Sequence, residues 1–278
     1  MKRLLVFGLS GQIGTALAPL LEAGGYSVLA ISRQVRTDTA AIRWQRTSLE
    51  TAPPWPAEFD AVLSLGPIDA FADWLSSRPA LASRVIAISS TSGQSKADVQ
   101  DPVERALAAS LVQAETRLRD ACAAAETGLT LLRPTLIYGN GRDQSLTPML
   151  AMARRWRLLP WPRGAIGLRQ PVHVEDLALA VLACLERSET AGCSFDLPGG
   201  ETLSVATMLA RSAKALAPEA LLLPMPLWAF GLAVKFAARA SGQTTALRGI
   251  VQRLRRNQLF DAEPARRAFG YQPRRFSP

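Results

Sequence analysis

The first 33 residues of this chain constrain its fold more than any other stretch. Apolar residues 4–7 and 28–31 predict two strands, and a helical pattern lies between them. A glycine-rich turn, Gly8-Leu9-Ser10-Gly11-Gln12-Ile13-Gly14, joins the first strand to the helix. Such glycines let backbone amides approach a diphosphate, and the positive N-terminal end of the helix favours the same anion. The pattern predicts a dinucleotide-binding turn rather than only a structural tight turn, with these binding residues: Gly8, Ser10, Gly11, Gln12, Ile13 and Gly14.

The end of the second predicted strand indicates which dinucleotide is bound. This strand runs directly into Ser32 and Arg33. An acidic side chain at this place would bind the ribose 2′-hydroxyl of NAD, whereas an arginine suits a 2′-phosphate. We therefore expect Ser32 and Arg33 to bind the coenzyme, and NADP(H) to be preferred over NAD(H). The alternative of a solvated surface arginine stays open, because the chain has 32 lysines and arginines.

Strand and helix patterns alternate through roughly residue 190, which is typical of a parallel sheet covered on both faces. Further strands are predicted at 42–44, 60–65, 84–89 and 128–133, and helices at 68–77 and 102–125, with a proline-rich loop at 51–56. Later helices are predicted at 146–157, 174–186, 204–216, 226–239 and 245–256. The fold class is therefore α/β, a Rossmann-type doubly wound parallel sheet.

The same patterns suggest a division of the 278 residues into two regions. We expect residues 1–165 to form the dinucleotide-binding Rossmann domain, with 170–200 returning to its sheet. Residues 200–278 are expected to form a smaller, mostly helical C-terminal region that contacts a substrate or partner.

The formal charge of +9 is concentrated near the end of the sequence. From Lys235 onward there are ten basic and two acidic residues. Such a patch suits an acidic protein, an anionic membrane surface or a phosphorylated substrate. No nucleic-acid motif accompanies it, so nucleic acid is not an expected partner. The apolar stretch 220–238, with Trp228 and Phe230, is either a helix for a membrane or subunit surface or a helix packed on the sheet.

Cysteine and histidine usage indicates the compartment and excludes a metal site. Three widely spaced cysteines and one histidine are too few for structural zinc and give no disulfide framework. The apolar run at residues 4–7 belongs to the first strand rather than to a signal peptide. We expect a cytoplasmic protein. The oligomeric state is not predicted.

Several segments together resemble one family. They are the glycine turn, Ser89-Ser90-Thr91, the stretch 132–139 (LRPTLIYG), the stretch 171–178 (PVHVEDLA) and the stretch 269–274 (FGYQPR). Their order and spacing resemble the extended and atypical short-chain dehydrogenase/reductase superfamily, in its NAD(P)-dependent epimerase/dehydratase branch. The resemblance implies further coenzyme contacts at Leu65, Gly66, Pro67, Ser89, Pro134 and Leu136.

The resemblance also implies where chemistry takes place. Thr91, or less favourably Ser90 or Ser89, stands where the family has the hydroxyl that orients the substrate. Thr91 and Ser90 are the candidate catalytic residues. The alternative, that the hydroxyls only cap the strand and contact ribose, stays open.

This chain departs from the family at its acid–base pair. The family uses a tyrosine and a lysine four residues later, on the long helix after the serine strand. Alignment on Ala114-Glu115 places Leu107 and Leu111 at these positions. No tyrosine lies between Tyr26 and Tyr138, and the only lysine between Lys2 and Lys214 is Lys96. We therefore expect the Tyr-xxx-Lys pair to be absent.

Two other side chains, His173 and Tyr138, are possible replacements for the missing pair. His173 ordinarily titrates near neutrality, yet a structural role at a strand-to-helix junction is favoured. Tyr138 is more consistent with local packing than with catalysis. The sequence thus predicts an NADP(H)-dependent oxidoreductase or epimerase/dehydratase-like enzyme with altered chemistry. The alternative is a catalytically silent NADPH-binding structural or sensor protein that docks on a partner or membrane surface.

Overall fold

A computed structural model describes residues 1–51, 59–78, 82–96, 101–143, 146–226, 228–230, 232 and 254–278. Most of the predicted loop 51–56, and most of the predicted helices 226–239 and 245–256, lie outside the described residues. The same holds for four of the ten basic residues near the C-terminus: Lys235, Arg239, Arg248 and Arg253.

A seven-stranded parallel sheet forms the centre of the molecule. Its strands, in chain order, are β1 (Arg3–Phe7), β2 (Ser27–Ser32), β3 (Ile42–Arg46), β4 (Ala61–Ser64), β5 (Arg84–Ile88), β6 (Gly128–Pro134) and β11 (Ser194–Leu197). Across the sheet they lie in the order β11-β6-β5-β4-β1-β2-β3. The chain therefore reverses direction across the sheet between β1 and β4, and the predicted doubly wound Rossmann-type fold is confirmed.

Helices cover both faces of this sheet. One face is covered by α1 (Gln12–Ala23), α6 (Val174–Glu186) and α8 (Glu263–Phe269), and the other by α2 (Ile68–Ser76) and α4 (Pro102–Ala124). Helix α4 begins as the sequence predicts: the Asp101 side chain accepts a hydrogen bond from the Val103 amide, and Pro102 occupies the first turn. A short helix, α3 (Ser92–Ser95), packs on α4. Within the described parts of the chain, no helix has the length and hydropathy that a membrane span requires.

Each face of the sheet has an apolar core beneath its helices, and a third apolar core lies beside the sheet. It joins α5 (Leu146–Trp156) and β8 (Leu158–Pro162) to α7 (Val205–Leu216), and β13 (Leu221–Met225) pairs in parallel with β8. Two small pairs, β7 (Ile137–Tyr138) with β10 (Val172–His173) and β9 (Leu168–Arg169) with β12 (Leu203–Ser204), connect this core to the sheet. Residues 146–162 thus pack with residues from beyond position 200. The division of the chain at residue 165 stays a prediction, and the region after 200 contains β12 and β13 besides helices.

The segment that follows α8 is held by polar contacts at several points. Arg274 donates to Asp176 Oδ1 at 2.8 Å and to Glu175 Oε2 at 2.7 Å, both at the start of α6. The Tyr271 hydroxyl donates to the Pro198 carbonyl at 2.9 Å, and the Ser277 amide donates to the Tyr138 hydroxyl at 3.2 Å. One of the basic residues near the C-terminus, Arg274, therefore forms ion pairs within the fold.

Candidate functional site

The glycine turn has the conformation that its sequence predicts. Gly8 has a φ of +82°, and a Cβ added there would lie 2.9 Å from both the Leu65 carbonyl carbon and the Gly66 nitrogen. The Gly11 amide donates to the Gly8 carbonyl at 2.9 Å. A Cβ at Gly14 would overlap the Leu9 backbone, so only glycine lets α1 approach the turn this closely. These three glycines keep the turn tight and its backbone accessible.

The N-terminus of α1 is open to an anion. Its N-cap residue is Gly11, which makes no side-chain capping hydrogen bond, and the first turn of α1 carries no acidic residue. Among the described residues, none accepts a hydrogen bond from the amides of Gln12 and Ile13, which lie at the positive end of the helix dipole. This arrangement fits the diphosphate of a dinucleotide.

The turn lies at the switch point of the sheet, where α/β folds of this kind bind ligands. Leu65, Gly66 and Pro67 leave the carboxyl end of β4 next to the turn, and the Leu65 amide donates to the Phe7 carbonyl at 2.9 Å. The structure thus brings the predicted segment 65–67 against Gly8. Leu65 and Gly66 are half-buried and Pro67 is exposed.

Arginines lie at the carboxyl ends of β2 and β3 or directly after them. Ser32 is buried and pairs in register with Arg46 on β3, and its hydroxyl accepts a hydrogen bond from the Gln34 amide at 3.1 Å. Arg33 and Arg46 are both exposed, and Arg36 follows three residues after Arg33. The sequence prediction missed Arg46, because its predicted third strand ended at residue 44.

Ser89 differs from the other predicted coenzyme residues, because its hydroxyl points into a buried ionic network. It donates to Glu115 Oε1 at 2.6 Å. Arg133 donates to the same carboxylate through Nε at 2.8 Å and through Nη2 at 2.5 Å. Burial would raise the pKa of Glu115, but the hydrogen bonds from Arg133 and Ser89 outweigh it and lower the pKa below its ordinary value. Glu115 is therefore ionised and structural, and it fixes the end of β5.

The two candidate catalytic hydroxyls lie just beyond Ser89. The Thr91 hydroxyl and amide both donate to the Pro134 carbonyl at 3.2 Å, which ties the end of β5 to the end of β6. The Ser90 hydroxyl accepts from the Ser92 amide at 3.1 Å. Both side chains keep acceptor capacity, and both line a cavity of about 440 Å³.

This cavity lies between the sheet and the third core. Its walls are mainly apolar and include Leu136, Met149, Val205 and Met208. Two cationic side chains also line it, and the sequence prediction assigned a role to neither. Lys96 Nζ lies 4.0 Å from Glu104 Oε1, and Arg169 donates to the Arg256 carbonyl at 2.6 Å. A small molecule with an apolar body and a negative or carbonyl oxygen suits such a cavity.

The positions aligned with the family's tyrosine and lysine lie on α4. Leu107 is 47% exposed, and Leu111 is half-buried close to Gly93 of α3. Neither is among the described residues that line the cavity. That the acid–base pair is missing stays a prediction of the sequence alignment.

His173 and Tyr138 have structural positions. His173 is the N-cap residue of α6: its Nδ1 accepts from the Glu175 amide at 3.3 Å. Burial, and after it the positive charge of Arg274, lower the pKa of His173, which favours the neutral ring that the cap requires. Tyr138 packs edge-on against His173 and Phe276, and burial raises its pKa.

Comparison with known proteins supports the fold at low sequence identity. No family model matches the chain. The UDP-glucose 4-epimerase of Vibrio cholerae is 24% identical over 147 residues, which are 52% of this chain and 42% of that enzyme. The chain thus matches less than half the length of this curated relative.

Solved structures match over nearly the whole chain. Mth375, an epimerase of Methanothermobacter thermautotrophicus, has a TM-score of 0.72 at 15% identity, over 98% of this chain and 88% of that chain. MoeE5 in complex with UDP-glucuronic acid and NAD has a TM-score of 0.70 at 19% identity, over 99% and 94%. WbmF of Bordetella bronchiseptica, in complex with NAD+ and UDP, has a TM-score of 0.66 at 17% identity, over 97% and 87%. The chain has the fold of these three structures, which is the fold that the family resemblance implies.

Proposed function

We propose that this chain is an NADP(H)-binding enzyme of the short-chain dehydrogenase/reductase type, with acid–base groups that differ from the family's tyrosine and lysine. The observation that carries the proposal is the glycine turn at the sheet's switch point, where Gly8 contacts the 65–66 backbone and the N-terminus of α1 is open. The residues present fit a nicotinamide dinucleotide. The MoeE5 and WbmF structures, which have a similar fold and contain NAD, support a coenzyme of this class.

The preference for NADP(H) rests on charge. Arg33 directly follows β2 and Arg46 ends β3, and the pairing of Ser32 with Arg46 brings these strand ends side by side. Two guanidinium groups favour a 2′-phosphate, and no acidic residue follows β2 directly to bind a 2′-hydroxyl. This preference contrasts with the NAD present in MoeE5 and WbmF.

The remainder of the site suits a small molecule with a carbonyl or hydroxyl group. A bound nicotinamide would supply or accept hydride. Thr91 and Ser90 would hold the substrate oxygen, and the Lys96 ammonium adds a positive charge to the same cavity. The apolar walls would contact the apolar body of such a molecule.

Coenzyme titration tests the proposal. NADPH and NADH are titrated separately, with binding followed by nicotinamide fluorescence and by thermal stability. We expect NADPH to bind more tightly. Arg33→Ala should weaken NADPH by about tenfold, the value of one exposed charge-assisted contact, and leave NADH unchanged. Arg267→Ala, which removes an exposed arginine paired with Glu263 on α8, is the matched control. Equal affinity of the Arg33→Ala variant for NADPH would reject the 2′-phosphate role, and absence of binding to either coenzyme would reject the function.

Catalysis is tested separately from binding. Because Leu107 and Leu111 replace a proton relay, we expect negligible turnover of UDP-glucose by the protein loaded with NAD or NADP. Robust epimerisation of UDP-glucose would contradict that alignment.

A silent NADPH-binding protein is the second candidate, favoured by the apolar side chains at positions 107 and 111. Its signature is tight NADPH binding without oxidation of NADPH by a panel of aldehydes and ketones.

A further inference from the structure

We propose that residues 139–143 form a clasp over the coenzyme's diphosphate, and that Arg142 is a binding residue for it. This inference rests on the coenzyme site proposed above, and it adds a cation, Arg142, that lies 132 residues from Ser10 of the glycine turn in the sequence. The clasp follows β7 and is tied to the turn at two points, one at each of its ends.

The first tie is made by the turn itself. Gln12, in the first position of α1, donates from Nε2 to the Gly139 carbonyl at 3.2 Å. The second tie is made by the clasp. Arg142 Nη1 donates to the Ser10 carbonyl at 3.1 Å and to the Thr15 hydroxyl at 3.2 Å. These contacts place a guanidinium beside the glycine turn and the first turn of α1.

The backbone of the clasp holds this position. Gly139, Asn140 and Gly141 have φ angles of +106°, +57° and +60° in succession. Glycine and asparagine are the residues that adopt the left-handed region most readily. Three such residues in a row turn the chain sharply after Tyr138. Arg142 therefore comes back over the turn.

The positive charge of Arg142 at the N-terminus of α1 favours a bound anion. A cation at a helix N-terminus is unfavourable, because the end of the helix is itself positive. The first turn of α1 has no acidic residue that would offset the charge. Arg142, the open amides and the helix dipole are thus three positive contributions at one place. A diphosphate neutralises all three and can accept hydrogen bonds from both the amides and the guanidinium.

Arg142 and Arg33 then have separable effects. Arg33 stands at the end of β2 and is proposed to contact the 2′-phosphate, which only NADP(H) carries. The diphosphate is common to NADPH and NADH. Loss of Arg142 must therefore weaken both coenzymes by the same factor and leave their ratio unchanged.

The experiment compares Kd values of NADPH and NADH for the wild type and the Arg142→Gln, Arg142→Lys and Arg267→Gln variants of the full chain. We expect Arg142→Gln to raise both Kd values by about three- to tenfold, as for one partly exposed charge-assisted hydrogen bond. Arg142→Lys should recover part of this loss because it keeps the charge, and Arg267→Gln should bind like the wild type.

Unchanged Kd values in the Arg142→Gln variant would overturn the inference while leaving the proposed function intact. Weakening of NADPH alone would also overturn it, since that would assign Arg142 to the 2′-phosphate. Wild-type protein that binds neither coenzyme would overturn the proposed function and this inference together. Thermal melting of the coenzyme-free variants shows whether each is folded, and affinity is compared only among folded variants.

Discussion

Removing the Glu115 carboxylate should destabilise the fold strongly. Glu115 is buried and accepts hydrogen bonds from Ser89, from two nitrogens of Arg133 and, at 3.1 Å, from Arg119. In Glu115→Ala, the Arg133 side chain, 16% exposed, would keep Asp196 at 3.8 Å as a carboxylate contact. Breaking a buried ion pair by removing one partner costs about 3–5 kcal/mol. Because Asp196 compensates part of the Arg133 charge, we expect the free energy of unfolding to fall by about 3 kcal/mol, the lower end of this range.

Thermal melting measures this loss. For a chain of this size, about 3 kcal/mol corresponds to a fall of roughly 6–12 °C in Tm. Arg119→Ala is the matched control: its side chain is 46% exposed, and removing an exposed ion pair costs less than about 1 kcal/mol.

A double variant identifies the cause of the loss. Glu115→Leu with Arg133→Met removes both charges and should melt above Glu115→Ala, because no buried guanidinium that has lost Glu115 remains. A Tm for Glu115→Ala equal to that of the wild type would contradict the reasoning, as would a double variant that melts below the single one.

Two further predictions follow from the site. Gly14→Ala should lower stability by more than about 2 kcal/mol, because its Cβ would overlap the Leu9 backbone, whereas Gly66→Ala, whose Cβ meets nothing within 4 Å, should melt close to the wild type. Equal melting of the two glycine variants would contradict this. Acidification should also destabilise the protein through His173: its pKa is lowered in the fold, so the stability it contributes is complete above the ordinary histidine value, near 6.5, and is lost as pH falls from there through the folded pKa. His173→Asn keeps an N-cap acceptor without titrating, and its Tm should vary less than that of the wild type between about pH 7 and 5.

The Rossmann half of the fold could be predicted because its signals are local. The glycine turn, the buried strands and the cap of α4 are each specified within a few residues, and helix α6 begins and ends where its pattern predicts. Strands β8 and β13 were missed. Both contain prolines and pair across more than 60 residues, so no local periodicity marks them.

The sequence predicts only those residues of the candidate site that belong to a single strand or turn. Arg46, Lys96 and Arg142 each depend on strand register or on a crossover that brings distant segments together. A prediction that extended β3 by two residues would have found Arg46. Ser89 is predicted to contact the coenzyme, and the hydrogen bond from its hydroxyl to Glu115 could not be predicted, because it depends on how α4 packs against the sheet.

The packing of Phe269 and Tyr271 has a consequence for how the chain folds. Both residues pack in the same core as Leu4 and Val6 of β1, so this layer joins segments that are far apart in the sequence. The layer is complete only when these distant segments have come together. Contacts this distant in sequence slow the search for the native state and leave apolar surface exposed to aggregation meanwhile.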